Sequence, residues 1–295
     1  MSNCKFTKLT DRSIIRISGS DCETFLKDLI TNDVQDVTSN GVPNDTLKTC
    51  FAGLLTPQGK ILYDFIVIKH SEAYYLDTAA DNASELIKRL TFYKLRADVE
   101  ILSLQDTHHV YAIWPTEKAV ETGTDDDLCY PDPRLASLGS RCISDNADLL
   151  LENCQPSDEA TYHAHRIAHG VPQGGRDYTY GDAFPHEVCY DHLGGVDFRK
   201  GCYVGQEVVS RMQHRGTART RILIATAKTD LPESGTDLLA DGKPVGAIGL
   251  PEKNMALTLV RLDRATRAIE NGHQINAAGI DVTLTVPDWA DYDVG

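Results

Sequence analysis

The most informative stretch of the sequence runs from residue 199 to residue 221 and reads Arg-Lys-Gly-Cys-Tyr-Val-Gly-Gln-Glu-Val-Val-Ser-Arg-Met-Gln-His-Arg-Gly-Thr-Ala-Arg-Thr-Arg. Six of these residues are basic and one is acidic, in a chain whose formal net charge is −14. A surface built only for solubility would mix the two signs. The segment therefore predicts contact with an anion such as a carboxylate tail, a phosphate chain or a short RNA. The alternative is that the basic residues pair with acidic groups on a neighbouring domain.

Cys202 lies within this basic segment, between two glycines that favour a tight turn. The apolar spacing that follows predicts a helix from residue 206 to about residue 214. The charges of Arg199 and Lys200 and the dipole of that helix would favour the thiolate form of Cys202. We therefore predict a reactive or metal-contacting thiol. The alternative is a buried structural cysteine, which the adjacent lysine makes costly.

The composition is that of an ordinary globular protein, with 41% hydrophobic and 24% charged residues. A chain of 295 residues exceeds what one hydrophobic core usually serves, so we expect two or three domains. No stretch approaches the roughly 20 apolar residues that span a bilayer, and no membrane contact is predicted. The amino terminus resembles neither a secretory signal nor an Arg-rich transit peptide, which predicts a cytoplasmic location. Eight cysteines without a Cys-x-x-Cys pair predict free thiols.

Residues 1–114 are predicted to form an N-terminal α+β domain. Short apolar runs and amphipathic segments follow one another in the order β-α-β-β-β-α-β. The predicted elements cover residues 13–17, 21–31, 49–55, 61–68, 73–78, 82–92 and 97–104. Ser20 and Glu23 have the spacing of a capping box at the start of the first helix. Helices segregated on a largely antiparallel sheet make an α+β fold the expected outcome.

The rest of the chain divides at residue 219. Residues 115–218 are predicted to form a middle α+β domain, with a helix over 157–169 that ends before Gly170. Residues 219–295 contain short strands separated by turns, and Asp241-Gly242 is a strong hairpin signal. This pattern predicts a C-terminal antiparallel β-barrel domain.

Other chemistries find less support in the sequence. Stable iron–sulfur ligation generally needs about four protein ligands, and Cys202 has no companion cysteine nearby. His165 and His169 have the four-residue spacing of a zinc site, but Arg166 between them opposes a cation. The chain has neither a Gly-x-Ser-x-Gly elbow nor a glycine loop that binds phosphate. We therefore predict no resident metal and no nucleotide site.

The segment Lys200-Gly-Cys-Tyr-Val-Gly-Gln-Glu207, preceded by Gly194-Gly-Val-Asp-Phe198, resembles the signature of the YgfZ-like folate-binding family. That family is related to the glycine-cleavage aminomethyl transferases, or T-proteins, and to mitochondrial Iba-type proteins. The likeness extends over nearly the whole chain. Further matching segments are Ile17-Ser-Gly-Ser-Asp21, Thr31-Asn-Asp-Val34, Phe51-Ala-Gly-Leu-Leu-Thr-Pro-Gln-Gly-Lys-Ile61, Arg166-Ile-Ala-His-Gly-Val-Pro172 and Phe184-Pro-His-Glu187.

The resemblance implies a T-protein-like fold, with ferredoxin-like α+β domains, a C-terminal antiparallel β-barrel and a central tetrahydrofolate site. It implies an accessory role in the assembly or repair of iron–sulfur enzymes, including radical enzymes that modify tRNA. The implied partners are folate, iron–sulfur assembly proteins and their client enzymes. The implied cofactors are tetrahydrofolate and an iron–sulfur cluster shared transiently with a partner.

The resemblance also implies the residues of the site. Cys202 is the implied functional thiol, with Lys200 beside it and Asp64 as the acid of the first hairpin. Tyr162 would stack on the pterin, or else it is a core tyrosine. The implied folate contacts are Tyr162, Arg166, Tyr203, Gln206, Glu207 and Arg215.

The sequence departs from the T-proteins at the hairpin that carries Asp64. Where T-proteins have Gly-Gly-Ile-x-Asp-Asp, this chain reads Gly59-Lys-Ile-Leu-Tyr63-Asp64 and has one carboxylate. Acid–base catalysis needs such a group within hydrogen-bond reach of its proton, and a tyrosine is a poor substitute at neutral pH. We therefore favour a maturation factor without a reaction of its own over a folate-dependent aminomethyl or one-carbon transferase. Binding of tRNA through the basic segment is the third alternative.

Overall fold

The structure is a computed structural model that describes residues 4–34, 47–114, 127–146, 154–216 and 218–294. The chain divides into two compact units. The first unit comprises Met1–Tyr162 and Leu193–Gln206, and the second comprises His163–His192 and Glu207–Gly295. The predicted domain boundary after residue 114 borders a stretch outside the described residues. The boundaries at residues 114 and 218 therefore remain predictions.

The first unit contains two five-stranded sheets. The strands of one sheet are β2 (Arg12–Ser18), β3 (Lys48–Leu55), β4 (Ile61–His70), β5 (Ala73–Ala79) and β6 (Glu100–Ser103), in the order β3-β4-β5-β2-β6. The strands of the other are β1 (Lys5–Leu9), β7 (His109–Trp114), β8 (Leu128–Pro131), β9 (Ser140–Ser144) and β10 (Gln155–Pro156), in the order β10-β1-β7-β9-β8. The strands pair antiparallel, except that β1 and β10 are parallel.

Successive side chains of a strand point to opposite faces of the sheet, so neighbouring residues of one strand pack in different clusters. Ile15 and Ile17 of β2 pack with Leu26 and Leu86 from two helices, whereas Ile14 packs in a cluster shared with the other sheet. Those helices are α1 (Cys22–Leu29) and α2 (Ala80–Lys94), and a 3₁₀ turn covers Ala136–Leu138. Two more helices are α3 (Glu159–Ala168) and α4 (Gln206–Arg215). In the part of the chain that the structure describes, no helix is long and apolar enough to cross a membrane.

The second unit contains a nearly closed antiparallel barrel, as predicted. Its strands are β11 (Thr220–Thr226), β12 (Asp237–Ala240), β13 (Lys243–Ile248), β14 (Met255–Arg261), β15 (Ile275–Ala277), β16 (Ile280–Asp281) and β17 (Thr283–Thr285), in the order β16-β15-β12-β13-β14-β11-β17. A helix, α5 (Leu262–Glu270), follows β14. Asp241 and Gly242 have φ values of +51° and +70°, the left-handed conformation that two-residue hairpins require. The α+β fold with a C-terminal barrel is thus confirmed.

Two local predictions are wrong. Helix α1 begins after Asp21, and no side chain caps it. The Ser20 hydroxyl donates to Asp98 at 2.9 Å, and the Glu23 carboxylate accepts hydrogen bonds from Lys69 and Tyr74. The capping box therefore does not form, because both of its residues find partners elsewhere in the fold. Strand β1 was also missed, since its five residues are bounded by no turn signal on the amino-terminal side.

The prediction that the cysteines are free thiols is wrong for four of the eight. Cys4 pairs with Cys154, and Cys129 pairs with Cys142. Cys129, Cys142 and Cys154 belong to one apolar cluster on a face of the second sheet, and the half-buried Cys4 packs against it. The pairs escaped prediction because strand register, rather than spacing along the chain, brings these residues together.

Candidate functional site

Cys202 lies on a loop of the first unit, just before helix α4. It is exposed, whereas the other free cysteines, Cys22, Cys50 and Cys189, are buried. The exposure excludes the buried structural cysteine that was the alternative for this position. A thiol in this position is accessible to a partner molecule.

Backbone and side-chain hydrogen bonds fix the chain that leads to this loop. The amide of Asn32 donates to the carbonyl of Gly194 at 2.6 Å, and the hydroxyl of Thr31 donates to that of Gly195 at 2.6 Å. The backbone N–H of Asp197 donates to the carbonyl of Thr31 at 3.1 Å. These hydrogen bonds to the segment after α1 therefore fix the conformation of the residues that precede Cys202.

Lys200 anchors the loop from within. It is 8% exposed, and its Nζ donates to the carbonyl oxygens of Lys27, Ile30 and Asn32 at 2.6, 2.7 and 3.0 Å. Carbonyls at a helix end lack intrahelical donors, so one ammonium satisfies three groups at and just beyond the end of α1. Burial lowers the pKa of Lys200 to about 8. All three donors of the ammonium are engaged by the protein, which makes Lys200 an anchor of the loop that carries Cys202.

Tyr203 and Gln206, two of the predicted folate contacts, make contacts within the same loop. The Tyr203 ring is buried, with its centroid 5.1 Å from the Lys200 Nζ. Burial, followed by the charge of Asp197, raises the pKa of the Tyr203 hydroxyl. The Gln206 amide donates to the carbonyl of Gly201 at 3.4 Å. These contacts stiffen the loop, and contact with folate stays a prediction for both residues.

Gly205 seats the loop on the turn between β3 and β4. Its φ is +83°, and a Cβ added there would lie 2.5 Å from the carbonyl oxygen of Thr56 and 3.1 Å from the Cα of Gly59. Only glycine allows this approach of two backbones without strain. The loop is therefore fixed at Lys200 and again at Gly205, with Cys202 between them.

We expect Gly205→Ala to lower the free energy of unfolding by about 3 kcal/mol, because a left-handed alanine costs ~1–2 kcal/mol and the clash with Thr56 adds to it. Gly201→Ala is the matched control, since its φ lies outside the left-handed region and a Cβ there would meet nothing within 4 Å. Urea denaturation of both variants measures the difference. Equal stability of the two variants would contradict the seating of the loop at Gly205.

Asp64 belongs to a buried network of charged residues in the first unit. It is 4% exposed, and its Oδ1 lies 3.9 Å from Nη1 of Arg12. The Arg12 guanidinium also donates to the Asp77 side chain at 2.7 Å and to the Asp77 carbonyl at 2.6 Å. The carboxylate of Asp64 therefore faces a cation that is itself held by a second carboxylate.

Arg141 joins this network to Tyr162. Its guanidinium binds Asp77, and it donates to Asp132 at 3.2 Å and to the Tyr162 hydroxyl at 3.3 Å. Tyr162 is 1% exposed, and its ring meets Trp114 edge to face at 5.2 Å. Tyr162 thus occupies the core position that was its alternative, and stacking on a pterin remains a prediction. Arg12, Asp77 and Arg141 were not predicted as site residues from the sequence.

The remaining predicted folate contacts lie in the second unit. Arg166 is 0% exposed and donates to Asp177 at 2.5 Å and to the carbonyl of Val171 at 2.7 Å. Its Nη2 is a buried donor without a hydrogen-bond partner among the described residues. Glu207 and Arg215, on helix α4, are exposed.

The basic segment divides into anchored and exposed cations. Arg221 donates to both carboxylate oxygens of Asp191, at 2.8 and 2.9 Å, and Lys200 is anchored as described above. The exposed cations are Arg199, Arg211, Arg215 and Arg219. Arg221 and the exposed Arg199 thus pair with carboxylates, Arg199 with Asp197 at 3.4 Å, whereas contact of the exposed cations with an anion stays a prediction.

Comparison with known proteins places the chain in a family. The human protein named iron–sulfur cluster assembly factor IBA57, mitochondrial, is 31% identical over 304 residues, which cover 96% of this chain and 84% of the human protein. The chain belongs to the IBA57 family. Its predicted resemblance to YgfZ-like proteins is thereby confirmed. Residues 219–292 also match the family described as CAF17, C-terminal beta-barrel domain.

Two fungal IBA57 homologues are similar to the chain over a shorter part of their length. Those of Mycosarcoma maydis and Neurospora crassa are each 32% identical, over 75% and 74% of this chain. The chain spans 57% and 52% of these relatives, about half of their length.

The fold resembles that of a T-protein. The crystal structure of glycine cleavage system aminomethyltransferase T from Bartonella henselae matches with a TM-score of 0.75 and 14% identity, over 98% of this chain and 87% of that one. At this identity the likeness shows the fold alone, which is the T-protein-like fold that the sequence predicted.

The predicted cytoplasmic location is wrong. The IBA57 relatives are mitochondrial proteins by name, which conflicts with that prediction. It rested on the composition of a few amino-terminal residues, whereas the family resemblance rests on most of the chain.

Proposed function

We propose that this chain is a tetrahydrofolate-binding accessory protein that assists the assembly or repair of iron–sulfur enzymes in the mitochondrion, including radical enzymes that modify tRNA. It acts through the thiol of Cys202. The observation that carries the proposal is an exposed sulfur on a loop that Lys200 and Gly205 fix on either side. Membership of the IBA57 family supports the iron–sulfur role, and the T-protein-like fold supports the folate.

An exposed single thiol suits a protein that shares a cluster with a partner. Stable ligation of a cluster takes about four protein ligands, so Cys202 would supply one and an assembly protein or client enzyme the others. The cluster is then cargo that passes between proteins. A fixed loop favours this exchange, because little conformational entropy is lost when the sulfur is captured.

The donors present in the chain suit tetrahydrofolate, which has a flat pterin with hydrogen-bonding edges and a tail of carboxylates. Arg166 offers a buried donor without a partner among the described residues, and the exposed guanidinium of Arg215 suits a carboxylate. Tyr162 is enclosed, so it would stack only on a ligand that enters the core of its unit. When bound, the folate supplies a reduced pterin that can carry a one-carbon unit.

The test is complementation of a strain that lacks the endogenous protein. We expect Cys202→Ser to restore less than a tenth of the iron–sulfur enzyme activities that the wild-type chain restores, although it folds normally, since Cys202 is exposed. Cys22→Ser, which removes a free thiol in the apolar core, serves as the control for loss of a cysteine as such. Full restoration by Cys202→Ser would refute the role of the thiol.

The second candidate is a folate-dependent aminomethyl or one-carbon transferase. It is favoured by the position of Asp64 on the hairpin against which the Cys202 loop is seated. Against it, Asp64 is 4% exposed and its Oδ1 already faces the Arg12 guanidinium at 3.9 Å. Formation of methylenetetrahydrofolate from small amines, lost in Asp64→Asn, would favour this candidate over the first.

The third candidate, binding of tRNA, rests on the exposed cations Arg211 and Arg215 of helix α4. We would then expect an affinity for tRNA that falls steeply with salt concentration and is lost when both charges are removed. The net charge of −14 opposes it.

A further inference from the structure

The two disulfides of the first unit differ in their access to solvent. Cys129 and Cys142 are 6% and 1% exposed and are register partners on the adjacent antiparallel strands β8 and β9. Cys154 is 6% exposed, but Cys4 is only half-buried. The pair Cys4–Cys154 therefore includes one residue that solvent partly reaches, at a Cα–Cα distance of 4.9 Å that suits a disulfide.

We infer that Cys4–Cys154 is a reversible redox site whose reaction partner is a small-molecule thiol such as glutathione. Disulfides are rare where glutathione keeps thiols reduced, and those that occur there usually sense or transmit redox state. The labile ones are the pairs that an attacking thiolate can reach. The mitochondrial setting belongs to the proposed function, whereas the chemistry of the pair stands on its geometry alone.

The reaction balances with two molecules of glutathione. The thiolate of the first attacks the sulfur of Cys4, forms a mixed disulfide there and releases the thiolate of Cys154, which takes up a proton. The thiolate of the second attacks the glutathione sulfur of the mixed disulfide and releases the thiolate of Cys4, which likewise takes up a proton. The products are two protein thiols and one glutathione disulfide, and glutathione disulfide drives the reverse reaction.

The pair controls the course of the chain into helix α3. Strand β10 pairs with β1 at only two positions, Lys5 with Gln155 and Phe6 with Pro156. The next contact is the N–H of Ser157, which donates to the Phe6 carbonyl at 2.8 Å. A strand this short depends on the covalent link beside it, so opening the pair loosens the segment that leads to α3.

The first residue of α3 keeps its own contacts when the pair is open. The Glu159 carboxylate accepts hydrogen bonds from the backbone N–H and the hydroxyl of Thr10, at 3.1 and 2.7 Å. The helix itself is therefore expected to persist in the reduced protein. The change is confined to residues 154–158, which lie just before the helix that carries Tyr162.

The test counts thiols in the full chain equilibrated in glutathione buffers, quenched with acid, unfolded and alkylated. With glutathione disulfide in excess, Cys4 and Cys154 should not be alkylated, and the exposed Cys202 can itself carry glutathione. With millimolar reduced glutathione, six cysteines should be alkylated, and peptide mass spectrometry should show Cys4 and Cys154 among them. The buried pair Cys129–Cys142 is the internal control and should stay closed in both buffers.

Three results would overturn the inference: Cys4–Cys154 closed in millimolar reduced glutathione, open in glutathione disulfide, or opening only together with Cys129–Cys142. The state of the Cys4–Cys154 pair depends neither on folate nor on Cys202, so it is independent of the proposed function. Hydrogen exchange adds a second readout. Residues 154–158 should exchange at least tenfold faster in reduced protein and in Cys4→Ser, and at the wild-type rate in Cys50→Ser, which removes a buried free thiol.

Discussion

Replacement of Lys200 by methionine is expected to lower the free energy of unfolding by about 3 kcal/mol at pH 7 and to abolish the function of the Cys202 loop. Methionine keeps the length of the side chain but donates no hydrogen bond, so the carbonyls of Lys27, Ile30 and Asn32 lose their common donor. Each lost bond to a charged donor costs ~1.5–3 kcal/mol. Relief from burying the ammonium offsets part of that sum.

The pH dependence distinguishes Lys200 from a lysine that only fills space. The folded pKa is about 8 and the ordinary value is 10.5, so between these values the unfolded chain binds more protons than the folded one. The contribution of this group is therefore present above the ordinary value and lost as the pH falls through about 8. Wild-type stability should gain up to ~1.4 kcal/mol per pH unit from this source.

Urea denaturation of the wild type and Lys200→Met at pH 7, 8 and 9 measures this gain as the difference between the two proteins. Other groups titrate in the same range but contribute equally to both. Lys88→Met is the matched control, because Lys88 is an exposed lysine paired with Glu85 at 2.6 Å, and its loss should leave stability unchanged. Parallel pH profiles for the wild type and Lys200→Met would show that Lys200 is not the buried anchor described here.

Local sequence patterns predict most helices and strands of this protein but not the environment of Lys200. The hairpin of β3 and β4, helices α1 and α2 and the strands of the barrel follow from periodicity and turn residues, which are local. The exposure of Cys202 was predicted because a lysine stands two residues earlier. Cys202 is indeed exposed, but the lysine is not, since its ammonium reaches carbonyls about 170 residues away in sequence.

The charged network of the first unit lay beyond sequence prediction for the same reason. Asp77 lies in a strand of largely apolar residues, and its cationic partners Arg12 and Arg141 are 65 and 64 residues away. A charged residue inside an apolar run signals a buried partner, but the run cannot say which residue that partner is. Sheet order decides it for Arg12, because β5 lies beside β2, whereas Arg141 reaches Asp77 from the other sheet.

Replacement of Arg141 by methionine should cost about 3–5 kcal/mol at pH 7, the range found when one partner of a buried ion pair is removed. Arg141 is 1% exposed and contacts two carboxylates and the Tyr162 hydroxyl. Asp77 would retain Arg12, and Asp132 would retain Arg134. We therefore expect the lower half of the range, with the chain still folded.

Acid titration tests whether the loss of stability in Arg141→Met arises from the loss of its charge. Burial opposes ionisation of Asp132, but Arg134 and then Arg141 outweigh it and lower the pKa of Asp132 to about 2. That contribution to stability is present above the ordinary value of 3.8 and is lost as the pH falls through about 2. The contribution of Asp132 is smaller without Arg141. The difference in the free energy of unfolding between the wild type and Arg141→Met should therefore narrow as the pH falls below 4.

The matched control is Arg261→Met in the second unit. Arg261 donates to both carboxylate oxygens of Asp263 at 3.0 Å, as a buried pair would, but its side chain is 35% exposed. Water can replace such a partner, so this variant should unfold at nearly the wild-type urea concentration at every pH. If Arg141→Met and Arg261→Met lost equal stability, or if the Arg141→Met gap stayed constant from pH 7 to pH 2.5, the buried network would not be an electrostatic support of the first unit.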